Sequence, residues 1–330
     1  MNLTKFKKVL IIRLSSLGDI LLTTPLIRTL KNLYPQLNID FIIREEYQDT
    51  IRLNPHINNI ITINRSYNPK EINEKIKNTD YDLIIDLQNN FRSRSLTRNT
   101  STKIVRYKKP YLKRMLLVKF NINKFNKIVP IPVRYASAIP NFNLDNDGLE
   151  LFLSPIGNTE LNENDNFIGL CPGSRHKTKM WPTEYFIKLG NELNKNNFKV
   201  ILLGGKDDRS ICKVISDQIE NSMDLSNNNN LLKLAEEMKK CKAVVCNDSG
   251  LMHTALAVGV PTIGLFGSTV KEFGFAPYKG KNLVLENNSL SCRPCSHIGL
   301  DECPKKHLKC LKDIDPNFVL KETLNFVNTL

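Results

Sequence analysis

Three stretches of the chain carry polar residues whose types and spacing suit chemistry on an anionic ligand. The first is Arg13-Leu-Ser-Ser-Leu-Gly-Asp19. It follows an apolar, β-branched run and opens a helical pattern, so Ser15, Ser16 and Asp19 fall where an α/β sheet places its reactive groups. Gly18 suits a tight strand-to-helix turn, and the free amides of a helix start attract anions. Asp19 has two readings. It is either an N-cap, accepting amide hydrogen bonds from the first turn, or a general base facing a ligand cleft. The local sequence favours the cap. A single glycine does not make a GxGxxG loop, so no dinucleotide site is expected here.

The second stretch is Pro172-Gly-Ser-Arg-His-Lys-Thr-Lys179, followed by Met180-Trp181-Pro182. Pro182 fits a first helical position. Ser174, Arg175, Lys177, Thr178 and Lys179 precede it, and such a set beside a helix N-terminus suits a multiply charged anion, most simply a pyrophosphate. A generic basic loop is the plainer alternative. Trp181, the sole tryptophan, reads as a packing anchor. The third stretch, Cys246-Asn-Asp-Ser-Gly-Leu-Met-His253, ends a strand and opens a helix. Asp248, Ser249 and Gly250 form its tight turn, while His253 either meets a phosphate or is a satisfied core histidine. Asp208 either holds a ribose hydroxyl or caps the next helix. Three strand ends with polar groups around one point favour a nucleotide-diphosphate site.

Two further groups stand apart. Arg92, Arg94 and Arg98 follow Asp86-Leu-Gln88 and offer guanidinium forks for phosphate or carboxylate, or simply line a wet helix face. Cys292-Arg-Pro-Cys295 is followed by Cys303 and Cys310, with His297 and His307 among them. Four thiols suffice to hold zinc or iron in a structural site, although the spacing is unlike a zinc ribbon. The alternative is a loop of reduced thiols.

The elements that must position these groups alternate between strand and helix. Strands are predicted at Lys8–Arg13, Asn38–Ile43, Asn59–Ile63 and Asp82–Leu87, with a helix over Ile20–Leu33. A second series has strands at Phe167–Cys171, Lys199–Leu203, Ala243–Asn247 and Thr262–Phe266. Helices are predicted near Pro182–Lys195, Asp207–Ile219, Leu231–Lys240 and Leu251–Val258. This is the pattern of parallel sheets with crossover helices, in two domains, 1–150 and 151–330, that break near Asp145–Asp165. Two open α/β domains facing each other would place a ligand cleft between the carboxyl ends of their strands.

The 330 residues include 47 Lys/Arg and 33 Asp/Glu, for a net charge of +14, with 41% apolar and 24% charged residues. That composition excludes a largely disordered or fibrous protein. Residues 1–150 carry 25 basic and 13 acidic side chains, residues 151–330 carry 22 and 20. A basic half suits nucleic acid, an anionic membrane surface or a phosphorylated substrate. No run is long enough to span a bilayer, and Arg13 interrupts the first apolar run too early for a signal peptide. Eight cysteines are too sparse for a disulfide scaffold.

Arg13–Asp19, Asp86-Leu-Gln-x-x-x-Arg-Ser93, Pro172-Gly-Ser…Lys179-Met-Trp-Pro182 and Asn247-Asp-Ser-Gly-Leu-x-His253 together resemble the glycosyltransferase family 9 heptosyltransferases, in order and spacing, from about Lys8 to Ile314. The cysteine-rich segment 292–310 resembles that of the heptosyltransferase II-like branch. The resemblance implies a GT-B architecture, two Rossmann-like domains facing across a cleft, with acceptor on the first and nucleotide-sugar on the second. It implies inverting, metal-independent transfer of heptose from ADP-heptose to the inner core of lipopolysaccharide or lipooligosaccharide. Asp19 becomes the general base, which overturns the local preference for a cap, and Lys179 the donor-pyrophosphate lysine. Ser174, Arg175, Asp248, Ser249, Gly250 and His253 join the donor site, with Asp208 near the nucleoside. Ser15, Ser16, Arg92, Arg94 and Arg98 are left for the acceptor, an anionic glycolipid of the Kdo-lipid A type. The implied setting is cytoplasmic and peripheral at the inner membrane, with no nucleic-acid partner. No cofactor is required, and zinc or iron at Cys292, Cys295, Cys303 and Cys310 would be structural. The rivals are a GT-B transferase using another nucleotide-sugar and a non-enzymatic basic nucleic-acid-binding protein.

Overall fold

Short β-branched runs with no polar alternation form strands buried on both faces, as parallel sheets require. The computed structural model describes residues 3–154, 161, 165–227 and 229–330. Pro155 and Gly157, part of the expected domain break, lie outside them. In chain order the first elements are β1 (Lys8–Ile12), α1 (Leu17–Leu21), α2 (Thr24–Leu33), β2 (Asn38–Arg44), β3 (Asn59–Ile63) and α3 (Pro69–Lys77). Next come β4 (Leu83–Asp86), α4 (Phe91–Leu96), β5 (Lys103–Arg106), α5 (Tyr111–Phe120) and α6 (Ile131–Ala136). The series continues with β6 (Phe167–Cys171), α7 (Thr183–Lys195), β7 (Lys199–Leu202), α8 (Arg209–Ser216), β8 (Met223–Asp224) and α9 (Leu231–Lys239). It closes with β9 (Cys241–Asn247), α10 (Gly250–Ala257), β10 (Thr262–Phe266), β11 (Asn282–Glu286), α11 (Lys309–Lys312) and α12 (Pro316–Asn328).

The chain divides into two compact units, residues 1–109 with 129–152, and residues 110–128 with 153–330. The segment 110–128, grouped with the first half on sequence, belongs to the second unit. Counted by unit, the charge is 20 basic against 13 acidic residues in the first and 27 against 20 in the second. The asymmetry between sequence halves therefore disappears, leaving +7 on each unit.

In the first unit five parallel strands run in the order β3-β2-β1-β4-β5. The order reverses between β1 and β4, and such a switch point opens a crevice at the carboxyl ends of the strands. The helix expected over Ile20–Leu33 is broken into α1 and α2. The Thr23 and Thr24 hydroxyls bond back to the Ile20 and Leu21 carbonyls at 2.7 and 2.8 Å, and Pro25 lacks an amide hydrogen. The tail of this unit is clasped to α2. Arg28, buried, binds Asp145 at 2.6 Å and Glu150 at 3.1 Å.

In the second unit six parallel strands run β11-β10-β9-β6-β7-β8, with the switch point between β9 and β6. One core, around Trp181, Phe186 and Leu311, covers one sheet face, and a second, around Met238, Met252 and Phe266, covers the other. Among the described residues no helix is long and apolar enough to cross a membrane.

Candidate functional site

Both switch points carry the expected polar groups. In the first unit β1 ends at Ile12, and Gln88 at the end of β4 holds the following turn by accepting from Leu14 N at 3.0 Å. Ser16 is the N-cap of α1, and Asp19 sits three residues inside it, so the expectation that Asp19 is itself the N-cap is corrected. Gly18 lies buried within α1 rather than in a left-handed turn. The Asp19 carboxylate reaches Arg13 Nη2 at 2.7 Å and accepts from Tyr135 Oη at 3.2 Å, both through Oδ1. Its Oδ2 accepts from the Ser16 amide at 3.3 Å and the Ser16 hydroxyl at 2.9 Å.

Burial alone would raise the Asp19 pKa, but the Arg13 charge and the Ser16 hydrogen bonds outweigh it and hold the carboxyl below its usual range. Arg13 is itself fixed by the Leu87 carbonyl at 2.9 Å and by the Tyr135 ring, 5.5 Å from its guanidinium carbon. Tyr135 is fully buried, packed edge-on against Tyr107 with its hydroxyl pKa pushed far up by burial, so it donates to Asp19 and does not ionise. Neither Arg13 nor Tyr135 stood among the candidate residues. Arg13 lay inside the quoted motif; Tyr135, 116 residues from Asp19 along the chain, gave no sequence signal.

Ser15 is half-buried beside Gln88. Arg92 and Arg94 lie on α4 and Arg98 just beyond it, all three exposed. Arg94 donates to Asn89 Oδ1 at 3.1 Å. Asp86 is buried and structural, accepting from Asn89 N at 2.7 Å and Ser93 Oγ at 3.0 Å.

In the second unit the loop after β6 is stapled at both ends by Asn247. Its amide nitrogen donates to Pro172 O at 2.7 Å, and its oxygen accepts from Trp181 N at 3.0 Å. Trp181 is buried, with its indole donating to Ile314 O at 2.9 Å. Between those anchors Ser174 is half-buried, Arg175 exposed, and Lys179 turned in to Asp248 at 2.7 Å. Burial would raise the Asp248 pKa, but Lys179 and the Thr269 hydroxyl, at 2.6 Å, bring it below its ordinary value. Ser249 caps α10, Gly250 opens it, and His253 is buried one turn in, close enough to favour the Asp248 charge. The hydroxyls of Ser249 and Ser268 are buried with no hydrogen-bond partner among the described residues. Buried polar groups of this kind are normally satisfied, by water or by a ligand.

Asp208 accepts from Gly205 N at 3.0 Å, and burial pushes its carboxyl above the ordinary value. It occupies the space beside Gly173 so fully that a Cβ there would stand 2.0 Å from Asp208 Oδ1. A side chain at 173 would therefore displace the Asp208 carboxylate.

The four cysteines of the C-terminal segment lie near enough to influence one another's charge. Among the described residues no three His, Cys, Asp or Glu side chains are grouped to hold a metal ion. Cys292 Sγ faces His307 Nε2 at 3.9 Å, whereas Cys310 is buried in the core. Although burial opposes it, the backbone amides of residues 305–308 lower the Cys303 pKa. Other contacts anchor the segment. Arg293, buried, donates to the carbonyls of Gly267 at 2.6 Å, Thr269 at 2.8 Å and Asn287, and pairs with Glu286 at 2.8 Å. Thr178 N donates to Leu300 O at 3.0 Å, and Leu300 N donates to the Thr178 hydroxyl at 2.8 Å.

The profile of glycosyltransferase family 9 (heptosyltransferase) matches residues 70–306. A lipooligosaccharide heptosyltransferase 2 of Campylobacter jejuni is 28% identical over 172 residues, 51% of this chain and 53% of that protein. The chain thus spans about half the length of the Campylobacter relative it matches. A lipooligosaccharide heptosyltransferase 2 of Haemophilus ducreyi is 27% identical over 345 residues, 96% of this chain and 98% of that one. The crystal structure of a family 9 glycosyltransferase from Veillonella parvula has the same fold. Its TM-score is 0.79 at 22% identity, covering 99% of each chain.

Proposed function

Because the chain belongs to glycosyltransferase family 9, the heptosyltransferases, we propose that it moves a heptose from ADP-heptose to the inner core of lipopolysaccharide or lipooligosaccharide. The names of its relatives support heptose transfer and a lipooligosaccharide acceptor. The observation that carries the reading is an ionised carboxylate at one switch point, Asp19, in a chain that also holds a buried amine–carboxylate pair, Lys179–Asp248, at the other.

Asp19 is the general base. Oδ1 is fixed by Arg13 and Tyr135, which leaves Oδ2, held by Ser16, to take the proton from the acceptor hydroxyl. The acceptor oxygen bonds to the anomeric carbon from the face opposite ADP, the carbon–phosphate-oxygen bond breaks, and ADP leaves with the electron pair. Lys179 and Arg175 meet the charge that grows on the leaving phosphate, with Ser174, Ser249, Gly250 and His253 around it. Asp248 orients Lys179, since a carboxylate would repel the phosphate directly. Asp208 serves the nucleoside. Ser15, Ser16, Arg92, Arg94 and Arg98 serve an anionic glycolipid acceptor of the Kdo-lipid A type, reached by peripheral contact with the inner face of the inner membrane. The reaction so written needs no cofactor, and zinc or iron at the four thiols would be structural.

Given ADP-heptose and a deacylated inner-core acceptor, the protein is expected to form the heptosylated product and release ADP. Asp19→Asn should lower kcat by about 100- to 10,000-fold with little loss of ADP affinity. Near-normal turnover in that variant would remove Asp19 as the base. Product from a UDP-sugar and none from ADP-heptose would replace the donor.

A further inference from the structure

Of the fourteen large apolar side chains exposed among the described residues, six lie between positions 110 and 128: Tyr111, Leu112, Met115, Phe120, Ile122 and Ile128. Three of them are more than half exposed, Tyr111 at 63%, Leu112 at 65% and Phe120 at 61%. The same stretch holds Lys113, Arg114, Lys119, Lys124 and Lys127 and no acidic residue. Scattered exposed apolar side chains need no explanation, but a concentrated group interleaved with cations does.

The segment is not loose chain. Leu117 of α5 is buried, Asn121 donates to Ser291 O at 3.3 Å, and Asn123 donates to Glu272 Oε1 at 3.1 Å. Phe125 meets the Phe273 ring edge-on with centroids 6.5 Å apart. One side of the segment is thus seated on the second unit. The other presents Tyr111, Leu112, Met115 and Lys119 on one face of α5, at helical spacing.

We propose that residues 110–128 form a docking surface for an anionic lipid bilayer. Apolar side chains enter the boundary between headgroups and acyl chains, while lysines extend beside them to lipid phosphates. Charge complementarity selects this occupant. A second copy would bring five more cations against five and no anion. A nucleic-acid backbone would satisfy the cations but offer nothing to Leu112, Met115, Ile122 and Ile128. The surface deepens the peripheral membrane contact proposed above, yet its test reads binding and requires no turnover.

The full chain should co-sediment with vesicles of two-thirds phosphatidylcholine and one-third phosphatidylglycerol at low salt, much less with phosphatidylcholine alone, and dissociate as salt rises. Leu112→Glu with Phe120→Glu should weaken that binding at least about tenfold. Lys113→Glu with Lys119→Glu should weaken it about fivefold per site. Both pairs should keep the wild-type melting temperature, as exposed substitutions do. Binding indifferent to both pairs, or equal binding to neutral vesicles, would overturn the proposal. So would duplex DNA displacing the vesicles, or a dimer that the Leu112/Phe120 pair dissociates. Vesicle binding without heptose transfer would keep the surface and remove the transferase reading; the reverse result would do the opposite.

Discussion

The two oxygens of Asp19 have different duties. Oδ1 takes the Arg13 guanidinium and the Tyr135 hydroxyl, and Oδ2 takes only contacts from Ser16 among the described residues. In the proposed role as base, a carboxylate pinned at one oxygen presents the other in a fixed direction, as positioning for proton transfer requires. Tyr135→Phe removes a donor to the charged form, so the carboxyl pKa should rise. The expected result is an acidic limb of kcat/KM displaced to higher pH, with kcat a few-fold lower. A rate loss with an unmoved limb would mean that Tyr135 only packs. The same depressed carboxyls bear on stability. Asp19 and Asp248 lie below their ordinary values when folded. Their contribution is therefore present above the unfolded value of about 4 and is lost as pH falls below it.

At the scale of elements, the lesson lies in the segment 292–310. Its thiols suggested a metal, but its position is set by Arg293, which bonds the carbonyls at the end of β10 and the carboxylate at the end of β11. One of those carbonyls belongs to Thr269, whose hydroxyl reaches Asp248, which in turn holds Lys179. Arg293→Met leaves Glu286 a nearly buried charge without its partner. A loss of about 3–5 kcal/mol is expected by thermal or urea unfolding. Chelation with EDTA should leave the melting temperature unchanged. If chelation lowers it and releases zinc or iron, the four thiols hold a structural metal. Edge elements were the hardest to foresee. β8 has two residues, β5 only Ile104 and Val105 between two cations, and β11 three apolar residues between Asn282 and Glu286. At the sheet flanks these short apolar stretches give a weaker signal than the central strands.

For the whole molecule, the net charge of +14 divides evenly between the units once 110–128 is counted with the second. Function must then be argued from local fields. The exposed Arg92, Arg94 and Arg98 lie in the first unit, away in sequence from every proposed donor residue. Replacing all three with Glu should raise the acceptor KM by tenfold or more, while ADP still raises the melting temperature as in the wild type. Loss of the ADP effect in that variant would end the division of labour between acceptor and donor residues.

The sequence by itself determined the central strands and the two α/β series, and it marked Asp19, Lys179 and the Asp248–His253 turn as candidates at their ends. Each is written in local order, as an apolar run closed by polar residues at a strand end. Tertiary structure alone decided that Tyr135 bonds Asp19, that Arg293 anchors the cysteine segment and that 110–128 leaves its sequence neighbours. Those outcomes rest on contacts between residues far apart in the chain, whose energies come from burial and hydrogen-bond satisfaction, and no local spacing records them.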